Sequence, residues 1–249
     1  MKLPLRRLRE RLNPMRLMEY EIDAARRDEL AREHSGELAQ IFFGSKTRLV
    51  HKWLHYLDIY ERHFARYRGT PVRFLEIGVS KGGSLEMWRT YFGPEATIYG
   101  IDVDPACTAF ATAGSQVRIG SQDDPAFLER VVGEMGAPDV VLDDGSHIGR
   151  HQKASFRALF PHVANGGLYL IEDLHTAYWA EYEGGWRRKG SGIELVKNLI
   201  DDQHAWYHRR RERLAAKEDI SAIHVYDSIV AIEKRRRGPP GHVQIPPQL

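Results

Sequence analysis

Cysteine is almost missing: Cys107 is the only one in 249 residues. An intrachain disulfide and a thiolate zinc site are therefore excluded, and a reducing compartment such as the cytoplasm is the expected location. No apolar run approaches the roughly 20 residues that cross a bilayer, so no integral membrane association is expected. The first sixteen residues alternate Leu with Arg, contain Pro4 and Pro14, and lack the apolar stretch and cleavage site of a secretory signal. They read as a flexible or subunit-contacting arm, with an amphipathic segment on an anionic membrane as the alternative. Excess charge is lacking too: a net charge of +2 is too small to imply a nucleic-acid partner. Positive charge does gather at residues 2–16, 209–213 and 234–237, the usual pattern of solvated helix faces or tails. Internal repeats are absent.

What is present is an ordinary globular composition, 42% apolar and 28% charged, on a chain long enough for one domain with extensions. Three acidic clusters each end an apolar run: Phe74-Leu-Glu-Ile-Gly78, Val140-Val-Leu-Asp-Asp144-Gly-Ser-His147 and Leu168-Tyr-Leu-Ile-Glu172-Asp173. Short apolar runs of this kind, with helical patterns between them, read as buried parallel strands, and ligands sit beyond the carboxyl ends of such strands. The pattern predicts strands at 72–77, 97–101, 117–119, 139–142 and 168–171, with helices at 83–91, 124–134, 150–160 and 193–217. A hairpin is expected from 220–225 and 229–234. Residues 17–68 read as helical, with polar punctuation near His34-Ser-Gly36 and Gly44-Ser-Lys46-Thr47, and with an aromatic stripe at Tyr56, Tyr60 and Phe64 that reads chiefly as core-facing. The expected division is a helical extension over 1–70, the α/β domain over 71–237 and a tail over 238–249.

The segment Glu76-Ile-Gly78-Val-Ser-Lys-Gly82-Gly83-Ser84 joins the first strand to its helix. Glycines let backbone amides approach a ligand, and a helix N-terminus offers unpaired N–H groups to an anion. The spacing departs from the G-x-G-x-x-G dinucleotide fingerprint, which counts against a nicotinamide oxidoreductase. Asp102 ends the next strand, where a carboxylate bridges ribose hydroxyls. Gly120-Ser-Gln122-Asp123 follows the third strand, where polar side chains can read an adenine edge.

Asp144, Glu172 and Asp173 come from two adjacent strand ends and form an oxygen-rich set suited to Mg2+ or Mn2+. His147, three residues past Asp144, is placed to take a proton from a hydroxyl. Taken singly, each motif reads equally as a strand-ending turn or a helix cap. The glycine- and aromatic-rich stretch from Leu174 to Gly190 is long for a connection. Trp179, Tyr182 and Trp186 offer flat apolar faces for sugar rings, so a lid over an acceptor is expected.

The turn, Asp102 and Gln122-Asp123 resemble the S-adenosyl-L-methionine site of class I methyltransferases. That resemblance implies a Rossmann-like methyltransferase fold: a mostly parallel seven-stranded sheet with a C-terminal antiparallel hairpin. It assigns Glu76, Gly78, Ser84, Asp102, Gln122, Asp123 and Asp143 to the cofactor. The phrases Asp143-Asp-Gly-Ser-His147, Ser155-Phe-Arg-Ala-Leu-Phe160 and residues 166–179 are similar to the metal-dependent sugar O-methyltransferases of macrolide and related glycosides. This implies Asp144, Glu172 and Asp173 as ligands of Mg2+ and His147 as general base. An N-terminal Lys, His and Tyr pattern is matched loosely by Lys46, His55, Tyr56 and Tyr60, placing Tyr56 and Tyr60 near the acceptor. A sugar-containing acceptor, such as a glycoside or oligosaccharide, and a homo-oligomer are the expected partners. Methylation of a non-sugar hydroxyl, and a non-catalytic carbohydrate-binding protein, are the competing readings.

Overall fold

Strand residues alternate between the two faces of a sheet, and here both faces are apolar, which requires cover on both sides. The computed structural model describes residues 23–209, 213–215 and 219–245. Seven strands form one sheet: β1 (Arg73–Ile77), β2 (Thr97–Asp102), β3 (Ser115–Ile119), β4 (Val140–Asp143), β5 (Leu168–Ile171), β6 (Ile220–Val225) and β7 (Val230–Lys234). Their order across the sheet is β3-β2-β1-β4-β5-β7-β6. The first five strands run parallel, while β7 runs antiparallel to both β5 and β6. This is the Rossmann-like methyltransferase arrangement expected from the sequence.

Among the described residues, three helices precede the sheet: α1 (Ala24–Glu33), α2 (Glu37–Gly44) and α3 (Leu54–Phe64). Four more follow strands β1, β3, β4 and β5 in turn: α4 (Gly83–Phe92), α5 (Pro125–Met135), α6 (Gly149–Leu159) and α7 (Gly192–Gln203). Asp124 caps α5 by accepting from the amides of Ala126 and Phe127, with Pro125 opening the helix. One sheet face puts Phe74, Leu142 and Leu170 against Tyr60 and Phe64 of α3 and Trp88 and Phe92 of α4. The other puts Leu75, Val141 and Tyr169 against Leu128 of α5, Phe156 of α6 and Leu199 of α7. Helix α3, assigned from the sequence to an N-terminal extension, therefore shares its core with the sheet. No helix among the described residues is long and apolar enough to cross a membrane.

The helical stretch 17–68 is broken at the expected punctuation: Ser45 turns extended after Gly44, and residues 45–53 cross the start of α4 as a strap. Arg48 ties the strap down through Glu86 (3.0 Å) and the Phe110 carbonyl (3.0 Å). The helix expected to reach Lys217 stops at Gln203. Its buried Asp202 accepts from the amides of Leu214 and Ala215, which requires the chain to turn back. Lys217 lies outside the described residues, as do the N-terminal arm and the last four residues of the tail.

Candidate active site

Beyond the carboxyl ends of β1, β2, β4 and β5 lies a cavity of about 510 Å³. The turn after β1 is pressed against the end of β4: Gly78 has φ +95°, and a Cβ there would meet the Asp144 carbonyl at 2.2 Å. Only glycine fits that place. The expected residues Gly78, Ser84, Asp102 and Gln122 line the cavity, as do Asp144, His147, Glu172 and Asp173.

Asp102 is committed to the backbone. One oxygen accepts from Val79 (2.9 Å) and Ser80 (3.0 Å), the other from Asp104 (2.9 Å). Burial opposes its charge, but these amides hold its carboxyl below the usual range. Asp102 thus shapes the glycine turn as well as facing the cavity. The Gln122 side chain joins two loops: its amide donates to Asp143 (3.0 Å) and its oxygen accepts from the Ser146 amide (2.7 Å).

Three residues expected at the cofactor lie outside the lining. Asp143 is buried, accepting from Gln122, Ser155 (2.5 Å) and Tyr169 (3.2 Å). Asp123 is exposed, accepting from Ser121 and lying 3.3 Å from His151. Glu76 sits beneath the turn, accepting from Ser84 (2.7 Å) and Trp88 (3.0 Å). Burial pushes the Glu76 carboxyl up to about 7 despite the nearby Lys52 ammonium.

On the β4–β5 side, one oxygen each from Asp144 and Asp173 converges with His147 within 4.8 Å. His147 Nε2 lies 3.6 Å from Asp173 Oδ2 and 4.0 Å from Asp144 Oδ1, while its Nδ1 is buried without a partner. His147 and Asp173 both adopt left-handed backbone, at φ +57° and +55°. Such strain gathers at functional sites, held in place by surrounding contacts. Glu172, the third expected ligand, is buried one residue away, where Tyr60 donates its hydroxyl to Oε1.

Lys52, which the sequence reading passed over in favour of Lys46, occupies the centre of this cluster. Its ammonium reaches Asp144 Oδ2 (2.5 Å), Glu172 Oε1 (3.0 Å) and Oε2 (3.1 Å), with Glu76 at 3.9 Å. Burial alone would lower its pKa, but the charges of Asp144, Glu172 and Glu76 hold it above the ordinary value. Three carboxylates (Asp144, Glu172 and Glu76) thus face one ammonium, and the Asp173 charge adjoins them at Glu172. Two converging carboxylates in such a field are a donor set that fits a hard divalent cation.

Tyr56 and Tyr60 are fully buried and face carboxylates rather than open space; the Tyr56 hydroxyl donates to Asp173 Oδ1 (2.9 Å). Lys46 is exposed, and so is His55, whose Nε2 lies 3.1 Å from the Asp227 carbonyl. Trp179 and Tyr182 lie toward His147, Tyr182 with its ring 6.1 Å from the imidazole. Trp186 points away, 78% exposed and stacked on Tyr178. Trp53 and His175, also missed in the sequence, continue the ring path: Trp53 packs on His175 at 5.2 Å, and His175 on Trp179 at 4.7 Å.

Residues 75–174 match the family described as a methyltransferase domain. A 3'-O-methyltransferase of 8-demethyl-8-(2-methoxy-alpha-L-rhamnosyl)-tetracenomycin C from Streptomyces olivaceus is 43% identical over 74% of this chain and 50% of its own. Mycinamicin VI 2''-O-methyltransferase from Micromonospora griseorubida is 40% identical over 80% of this chain and 52% of its own. The solved MycE methyltransferase of the mycinamycin pathway, in complex with Mg, SAH and mycinamycin VI, superposes with a TM-score of 0.72 at 37% identity. That match covers 86% of this chain and 56% of the other. The fold is that of the methyltransferases. The chain is a relative of the glycoside O-methyltransferases, and it spans about half the length of the curated relatives it matches.

Proposed function

We propose that the protein transfers a methyl group from S-adenosyl-L-methionine to a hydroxyl of a sugar in a glycoside or oligosaccharide, with Mg2+ in the site. The observation that carries this reading is the convergence of Asp144, Asp173 and His147 in the cavity that the glycine turn and Asp102 also line. Support comes from the relatives, named for methylation of sugar hydroxyls, and from the MycE complex with Mg and SAH.

In this reading the turn from Gly78 and the Asp102 carboxylate hold the nucleoside part of the donor, and Ser84 lies toward its methionine end. Asp144 and Asp173 hold the cation, with Glu172 behind them. When bound, the cation supplies a charge that fixes an acceptor hydroxyl and makes its proton easier to remove. His147 takes that proton at Nε2, the ring nitrogen turned toward the two carboxylates. The acceptor oxygen then forms a bond to the methyl carbon as the carbon–sulfur bond breaks, leaving the electron pair on sulfur. Trp53, His175, Trp179 and Tyr182 offer apolar ring faces beside that point, suited to a sugar's C–H surface.

A mass-spectrometric screen tests the reading, using donor with an isotopically labelled methyl group and a panel of glycosides, free sugars and phenols. Label on a glycoside hydroxyl is the expected result. Label on phenols alone would place the protein among methyltransferases of non-sugar hydroxyls, and no transfer to any of the panel would contradict the reading.

A further inference from the structure

Three side chains four residues apart, Lys52, Tyr56 and Tyr60, reach the three carboxylates of the β4–β5 side, and together they hold Asp144 Oδ2, Asp173 Oδ1 and both oxygens of Glu172. We propose that they form a rack on helix α3 and the turn before it that orients Asp144 and Asp173 toward a divalent cation, with Glu172 held behind them. The inference rests on the functional reading above.

Lys52 takes Asp144 Oδ2, Tyr56 takes Asp173 Oδ1, and Tyr60 takes Glu172 Oε1, with Lys52 also bridging both Glu172 oxygens. The oxygens left over are the ones that turn to the cavity: Asp144 Oδ1 and Asp173 Oδ2 are those lying 4.0 and 3.6 Å from His147 Nε2. A carboxylate with one oxygen held presents the other along a fixed direction, which is what a cation with strict geometry needs.

The rack is itself stiff. The Tyr56 and Tyr60 rings meet edge to face at 6.0 Å, Tyr60 stacks on Phe64 at 5.6 Å, and the Lys52 ammonium lies over the Tyr60 ring at 5.8 Å. The far end is braced by the β6–β7 turn. Ser228, at φ +65°, brings its carbonyl (3.1 Å) and Oγ (2.9 Å) to the Tyr56 oxygen, whose one proton is given to Asp173, and the same Oγ contacts His175 Nδ1. These contacts join an element before the sheet, two strand ends and the terminal hairpin at one point. A lysine and two phenols also divide the labour: one ammonium offsets charge, while two neutral donors add direction without cancelling the attraction for a cation.

The test uses the full chain and the variants Tyr56→Phe and Tyr60→Phe, which keep the buried rings and remove only the hydroxyls. Mn2+ affinity, read by paramagnetic resonance titration, should weaken about 10–100-fold in each, the usual effect of losing a group that orients a ligand. Affinity for S-adenosylhomocysteine by calorimetry should stay near the wild-type value, as should Mn2+ binding by the control Tyr67→Phe, whose hydroxyl meets the Gly166 carbonyl away from the site. Unchanged Mn2+ affinity in both site variants, with a wild type that binds the ion, would overturn the rack and leave the functional reading standing. A wild-type chain that binds no Mn2+ would overturn both.

Discussion

At the scale of the residue, the site depends on side chains whose neighbours are far away in sequence. Asp102, Asp144, His147 and Asp173 were legible because each ends or follows a strand, where the topology must bring it to the crevice. Lys52 was not, because a lysine reads as solvent-exposed until its partners, 92 and 120 residues further on, are known. The four-residue step from Lys52 to Tyr56 and Tyr60 was the available signal, and reading that stripe as packing concealed it. Lys52→Met should destabilise the cation-free protein by about 3–5 kcal/mol in urea unfolding, since it leaves buried carboxylates unpaired. Added Mg2+ should recover part of that loss. His147→Ala should lower kcat by about 10²–10⁴-fold, the usual worth of a positioned base, with Mn2+ and S-adenosylhomocysteine affinities retained. Near-normal turnover would reassign the proton to another acceptor.

At the scale of the element, alternation and turn residues located every strand, because the period of two and the glycines after the strands are local properties. Helix ends were less legible. Where α7 stops depends on the Asp202 carboxylate meeting amides beyond the helix, which no propensity records. The loop after β5 closes on itself through Gly184 and Gly185 amides bonded to the carbonyls of Trp179 and Ala177. Its cleavage by trypsin at Arg187 or Arg188 should slow when cofactor and acceptor are both present, if it covers the acceptor. Cleavage indifferent to both ligands would argue that it only packs.

Helix α3 also meets the hairpin at His63, whose Nε2 lies 3.0 Å from the Tyr226 hydroxyl, with His224 ring to ring at 4.9 Å. Burial first, then His224, Arg66 and Arg62, lower its pKa from 6.5 to about 4, against the attraction of Glu233. As pH falls through 6.5 the unfolded chain takes up a proton that the folded chain refuses until about 4. This contribution to stability is therefore present above about pH 6.5 and lost toward about pH 4. The melting temperature should fall across that window, and less steeply in His63→Phe.

At the scale of the molecule, the parallel strands and the convergence of three acidic strand ends followed from the alternation of strands and helices along the chain, while the seven-stranded methyltransferase arrangement followed from the family resemblance. What did not follow was the role of the N-terminal helices. Residues before the first strand read as an extension, yet α3 fills one face of the sheet and reaches the carboxylates with Tyr56 and Tyr60. The reason is physical: an amphipathic helix shows that it has a buried face but not which surface buries it. A shared core ties the cation site to the fold, so stability and cation affinity should be linked.

The most direct measurement is transfer of a labelled methyl group from S-adenosyl-L-methionine to a glycoside hydroxyl, before and after chelation and again after addition of Mg2+. The expected result is transfer by the protein as prepared with Mg2+, its loss in EDTA, and its return when Mg2+ is restored in excess. Transfer that continues unchanged in EDTA would contradict the role given to Asp144 and Asp173. The absence of transfer to any glycoside with Mg2+ present would contradict the function itself.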